Sequence, residues 1–259
     1  MKLTQIRNAT LVLDYAGKKF LIDPMLADKG AWPGFVGYAR PHLRNPIVEL
    51  PVPVADLLAV DAVILTHTHA DHWDEAAQQV IPKDMLIYTQ DENDAKLVKS
   101  QGFVNVCVLK KENHFIDGIT IYKTDGQHGS NELYTDPALA EMLGDACGFV
   151  FEHNNEKSLY LAGDTIWTKP YVRNLQRFQP DVVVLNAGYA MSDNYGPIIM
   201  GKDDTLNTLK ILPTTTVVAS HLEAVNHCLL TRVELREFTL EHKIDDKVLI
   251  PADGETLIF

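Results

Sequence analysis

Cysteine is scarce. Three residues in 259, at Cys107, Cys147 and Cys228, are odd in number and far apart, which leaves no readable disulfide framework and no Cys-x-x-Cys zinc site. They read as buried free thiols in a reducing compartment. Basic side chains are in deficit: 23 Lys and Arg against 35 Asp and Glu give a formal net charge of -12. A polyanion wants a basic face, so nucleic acid is not expected as a partner. No apolar run approaches the roughly 20 residues of a membrane span. The opening residues have neither a long apolar stretch nor a small-residue cleavage site, and the chain is expected to be cytoplasmic. Low-complexity segments, charge runs, internal repeats and a Gly-rich phosphate loop are also missing. What is present is core material, 46% hydrophobic and 22% charged, expected to form a single domain over 1–259.

Apolar runs of β type alternate with helical patterns. A hairpin is expected from 9–15 and 19–22 around Ala16-Gly17-Lys18, and Asp23-Pro24 ends its second strand. Residues 28–53 carry Pro and Gly interleaved with Trp32, Phe35 and Tyr38. A loop of that length reads either as a lid or as a surface excursion or oligomer contact. Helices are expected over 73–80, 92–100, 202–212 and 232–241. The stretch 130–145 reads as a polar insertion. Several strands end in a residue of metal-ligand type: Thr66-His67, Gln127-His128, Gly163-Asp164 and Ser220-His221.

The densest of these is Thr66-His67-Thr68-His69-Ala70-Asp71-His72, directly after the strand-like Ala62-Val63-Ile64-Leu65. Neutral imidazole and carboxylate are the ligands of zinc and manganese sites. An extended chain turns His67, His69 and Asp71 to one face. Four ligands this close strain one tetrahedral ion, and two neighbouring ions share them more easily. His128, Asp164 and His221 are the distant candidates, each beside a small residue. Asp164 has two oxygens and can bridge two cations with a hydroxide between them, a nucleophile for a carbonyl or phosphoryl centre.

The run His67 to His72, then His128, Asp164 in Gly-Asp-Thr, and His221, resembles the metallo-β-lactamase superfamily in order and spacing over nearly the whole chain. The opening Asn8-Ala9-Thr10 with Gly17 to Pro24 resembles the branch of the L-ascorbate-6-phosphate lactonases. The resemblance implies an α/β fold, a four-layer αβ/βα sandwich with metals at one edge of two facing sheets. It implies a first ion on His67, His69 and His128, a second on Asp71, His72 and His221, and Asp164 between them. Asp71 would also help orient the nucleophile, which makes Asp71 and Asp164 the catalytic candidates. The chain departs from that branch at Arg7-Asn8, where many relatives carry Gly-His, and it differs from simple lactamases at Asn186 to Tyr189, which disfavours a β-lactam substrate.

The leading expectation is a dinuclear metal-dependent hydrolase acting through a bridging hydroxide on a small ester, lactone or phosphoester, anionic ones included. A phosphodiesterase of the same fold and a non-catalytic metal-binding or sensing protein are the alternatives. Zinc is the default for such a donor set, and manganese or iron would accept it. Arg40 and Arg44 are candidates to meet an anionic substrate, and Tyr189 and Tyr195 to line its pocket. His227, six residues after His221, is expected to pack or hydrogen-bond behind the ligands.

Overall fold

The computed structural model describes residues 1–115 and 117–259. Its strands are β1 (Lys2–Arg7), β2 (Thr10–Tyr15), β3 (Lys18–Ile22), β4 (Ala62–Ile64), β5 (Ile87–Thr89), β6 (Val106–Val108), β7 (Glu112–His114), β8 (Thr120–Asp125), β9 (Cys147–Glu152), β10 (Leu159–Leu161), β11 (Val182–Asn186), β12 (Met191–Ser192), β13 (Gly196–Pro197), β14 (Thr216–Ser220), β15 (Val248–Leu249) and β16 (Thr256–Ile258). Its helices are α1 (Val54–Leu57), α2 (Glu75–Val80), α3 (Glu92–Ser100), α4 (Pro137–Leu143), α5 (Lys169–Phe178), α6 (Lys202–Ile211) and α7 (Arg232–Glu241).

Two seven-stranded sheets carry the molecule, ordered β16-β1-β2-β3-β4-β5-β6 and β15-β14-β11-β10-β9-β8-β7. Each joins an antiparallel meander to parallel strands: β1 to β3 then β4 to β6, and β7 to β10 then β11, β14 and β15. The meander β2–β3 turns through Ala16 and Gly17, both at positive φ, and Tyr15 pairs with Lys18.

The period-2 alternation of strands sorts the core into layers. Phe20, Ile22, Ala62 and Ile64 of one sheet face Phe149, Phe151, Val182 and Val184 of the other. The intervening residues point outward. Leu21 and Val63 pack under Trp73, Ala77 and Val98 of the 73–98 region, while Val150, Val183 and Leu185 pack under Tyr171, Leu175, Leu209 and Leu235 of α5, α6 and α7. Helix, sheet, sheet, helix is the expected four-layer sandwich. Strands buried on both faces read as continuous apolar runs, as Val182-Val183-Val184-Leu185 does.

A fourth apolar cluster caps one edge of the sandwich. Tyr38, Leu133, Leu143, Ile198, Ala224 and Cys228 meet there, from segments far apart in sequence. The stretch 130–145, expected as a polar insertion, contributes α4 instead. Asp136 caps that helix by accepting from the Ala138 and Leu139 N–H groups, and Pro137 opens it. No helix among the described residues is long and apolar enough to cross a membrane.

Candidate metal centre

The centre lies at the carboxyl ends of strands from both sheets. β4 runs into Thr66-His67, and the chain then turns as the His72 and Trp73 N–H groups donate to the His69 carbonyl. Asp74 next caps α2 by accepting from Ala77 N–H. In the other sheet β8 leads to His128, β10 to Asp164 and β14 to His221. Gly163 precedes Asp164 at φ +68, and a Cβ there would lie 2.1 Å from the Cys147 carbonyl oxygen. Only glycine allows that bend against β9. Gly188 has the same purpose beside His221: its Cβ would lie 1.9 Å from the His221 carbonyl oxygen.

All seven expected ligands converge. Asp164 Oδ2 lies 3.2 Å from His72 Nε2, 3.4 Å from His128 Nε2, 3.7 Å from His221 Nε2 and 3.9 Å from His67 Nε2. His67 Nε2 is 3.0 Å from His69 Nδ1, and His221 Nε2 is 3.3 Å from Asp71 Oδ2. Three triads have donor atoms within 4.8 Å of one another: His67, His69 and His128; His67, His72 and Asp164; Asp71, His72 and His221. Asp164 is the common neighbour, and Asn186 Nδ2 donates to its other oxygen at 2.6 Å.

The outer ring nitrogens are each held. His72 Nδ1 donates to Asp23 Oδ2 at 2.8 Å, His128 Nδ1 to the Ile198 carbonyl at 2.9 Å and His69 Nε2 to the Met142 carbonyl at 3.1 Å. Thr66 Oγ1 gives its hydrogen to Asp23 Oδ2 and accepts from His67 Nδ1 at 3.1 Å. His221 Nδ1 sits 3.2 Å from Cys228 Sγ. With the outer nitrogens protonated, the inner ones of neutral rings are bare lone pairs. They face each other and two carboxylates, all on buried residues save the half-buried His69. Such a donor set is stable around cations or after taking up protons.

The protonation of the metal-free cluster shows the same tension. Burial lowers His67 well below its usual value, helped by the charges of His72 and His69. Burial first, and His128 second, push His69 down to about 4. At His72 burial also lowers, but Asp164, Asp23 and Asp71 outweigh it and carry the ring up to about 10. Burial opposes ionisation of Asp71 and Asp164 too, yet the surrounding histidines hold both well below the usual carboxylate range. His221 is raised well above its usual value against burial, by Cys228 and Asp164.

A chamber of about 140 Å³ opens over this cluster, lined by His69, Asp71, His128 and His227 and walled by Phe35, Tyr38, Met142, Leu143 and Ile198. Phe35 and Tyr38 come from the 28–53 segment, which is therefore a wall of the site. Asn226 ties that segment down. Its Oδ1 accepts from Phe35 N–H and Asn45 Nδ2, and its Nδ2 donates to the Phe35 and Ala39 carbonyls. The four expected substrate-binding residues are not brought to the chamber. The Arg40 guanidinium donates to the Asn226 and Cys228 carbonyls, and Arg44 to those of Gly30 and Ala31. Tyr189 is turned to a separate surface cleft with Gly201 and Lys202, and Tyr195 packs against the capping cluster. Of these loop arginines, Arg44 braces its own loop and Arg40 ties that loop to residues 226–228.

A sequence profile of the β-lactamase superfamily domain matches residues 18–222. The chain belongs to that superfamily. It is 45% identical to the UPF0173 protein YddR of Bacillus subtilis (strain 168), over the full length of both. Among solved structures, an isothiocyanate hydrolase from Delia radicum gut bacteria is 76% identical with a TM-score of 0.99, covering 100% of this chain and 99% of that one. A possible metal-dependent hydrolase from Veillonella parvula DSM 2008 is 42% identical with a TM-score of 0.97, covering 100% and 99%. The superfamily member described here is a metal-dependent hydrolase with His/Asp clusters able to bind metal ions.

Proposed function

We propose that this hydrolase cleaves small neutral isothiocyanates, R–N=C=S, at a centre holding two divalent ions. The observation that carries this reading is the chamber, whose apolar and aromatic wall closes directly over the ligand cluster. Ligand pockets commonly measure about 300–1,000 Å³, so a chamber of about 140 Å³ suits a small molecule. The engagement of Arg40 and Arg44 with carbonyls weighs against an anionic ester, lactone or phosphoester. The isothiocyanate hydrolase at 76% identity supports the substrate class.

In this reading His67, His69 and His128 would hold one ion and Asp71, His72 and His221 the other, with Asp164 available to both. Zinc suits the donors best. When bound, the ions would supply Lewis acidity and lower the pKa of a water toward neutrality. The chain's own residues do the rest. Phe35, Tyr38 and Ile198 hold the R group and exclude bulk water. Asp71 and Asp164, ionised and buried, would orient the attacking water, and Asp71 would take up its proton and return it to the product nitrogen. Water oxygen bonds to the central carbon, and the C=N π pair moves to nitrogen. The product R–NH–C(=O)–SH then splits into the amine R–NH2 and carbonyl sulfide.

The test is a turnover panel on zinc-loaded protein: allyl and phenethyl isothiocyanate beside a nitrophenyl ester, a lactone and a phosphodiester. Amine release from the isothiocyanates at the highest kcat/KM is the expected result. Faster lactone or phosphodiester cleavage would replace this reading.

A further inference from the structure

Besides Tyr38, the chamber contains one polar side chain that the ligand triads leave out. His227 lines it beside His69, Asp71 and His128. The residue is 5% exposed, and its Nδ1 has no hydrogen-bond partner among the described residues. Aromatic rings fix it in place: Phe35 meets it nearly perpendicular at 4.8 Å and Tyr38 at 5.5 Å. The His221 ring stands 6.5 Å away at 85°. No triad includes His227, so it is not placed to share an ion with the others. A buried imidazole nitrogen without a partner is costly, and such groups cluster where a ligand completes them.

We propose that His227 is a catalytic hydrogen-bond donor to the nitrogen of the bound isothiocyanate. This rests on the isothiocyanate reading above. Water adds across the C=N bond: the C–O bond forms, the C=N π bond opens, and its electron pair moves to nitrogen. Of the two water hydrogens, one ends on nitrogen and the other on sulfur, and His227 is unchanged. Negative charge therefore develops on the N–C–S unit before the proton arrives. A neutral imidazole carries one N–H. Held in an aromatic cage above the cluster, that N–H needs no reorganisation to stabilise the developing charge. The cage also leaves Nδ1 no competing acceptor among the described residues, unlike the five ligand histidines, whose outer nitrogens are all engaged.

The test compares zinc-loaded wild type, His227→Phe and His227→Asn, reading kcat and KM for phenethyl isothiocyanate together with ions per chain. Phe keeps the ring without a donor, and Asn restores an N–H. The expected result is a kcat loss on the order of 10²-fold in His227→Phe, with ion content at the wild-type level and partial recovery in His227→Asn. Wild-type kcat in His227→Phe, or loss of ions from it, would overturn the assignment while leaving the substrate reading standing. A wild type that releases no amine from isothiocyanates overturns the substrate reading and this assignment with it.

Discussion

At the scale of single residues, the ligand set was legible because it is dense in chemistry. Four ligand-type side chains in the six residues from His67 to His72 have no use in a packed core. The groups that hold those ligands were not legible. Asp23, Asn186 and Cys228 are ordinary in sequence, and only the fold brings them to His72, Asp164 and His221. Asp164→Asn tests the bridging assignment, since it keeps the volume and removes the charge. The variant should hold about one ion or fewer in place of about two, with turnover reduced by at least 10²-fold; full ion content by elemental analysis would refute it. A second test follows from the protonation of the metal-free cluster. His72, at about 10 against a usual 6.5, is charged near pH 7 without metal, and its Nε2 faces His221 Nε2 at 3.2 Å, so one proton serves both rings. The stability that His72⁺ contributes to metal-free protein is fully present below pH 6.5 and lost as pH rises through about 10. Zinc must expel that proton, so loading chelated protein near pH 7 should release about one proton per chain from this pair. Calorimetry in buffers of different ionisation heat reads that number, and release of none would contradict the cluster described here.

At the scale of elements, strong local signals translated directly. The 232–241 helix has a capping box between Thr231 and Glu234, and the Asp91 cap opens α3. Three helices escaped, the single turn α1 among them. α5, Lys-Pro-Tyr-Val-Arg-Asn-Leu-Gln-Arg-Phe, buries only Tyr171 and Leu175 deeply, and α4 is a single capped stretch of seven residues. Their stability comes from the sheet and loops beneath them rather than from their own pattern. The element that most needs its sequence is the bend after β10. Gly163→Ala would place a methyl group 2.1 Å from the Cys147 carbonyl oxygen, in a backbone at φ +68. The strand end must shift, and Asp164 with it. The expected cost is about 2–4 kcal/mol of stability, read as a fall in Tm, together with lower ion content. Wild-type values of both would mean that the strand end tolerates displacement.

At the scale of the whole molecule, the two sheets place ligands from four loops at one edge, and the capping cluster sets what reaches them. The 28–53 segment supplies Phe35 and Tyr38 to that cap, and Asn226 uses its whole hydrogen-bonding capacity to hold it. Asn226→Ala should therefore raise KM for isothiocyanates several-fold, about 1 kcal/mol of binding, with ion content unchanged; an unaltered KM would show that the wall stands without it. Charge acts at the same scale. A chain of net charge -12 repels anions over distances that grow as salt is diluted. The Debye length shrinks from about 30 Å at 0.01 M to about 3 Å at 1 M salt. An anionic lactone or phosphoester would thus be turned over with a kcat/KM that climbs as salt screens the repulsion. A neutral isothiocyanate feels no such field. Its kcat/KM should stay within about twofold across that range, provided that the ions remain bound. A steep rise with salt, measured at constant ion content, would point to an anionic substrate, because nothing in an uncharged heterocumulene responds to the net charge of the surface it crosses.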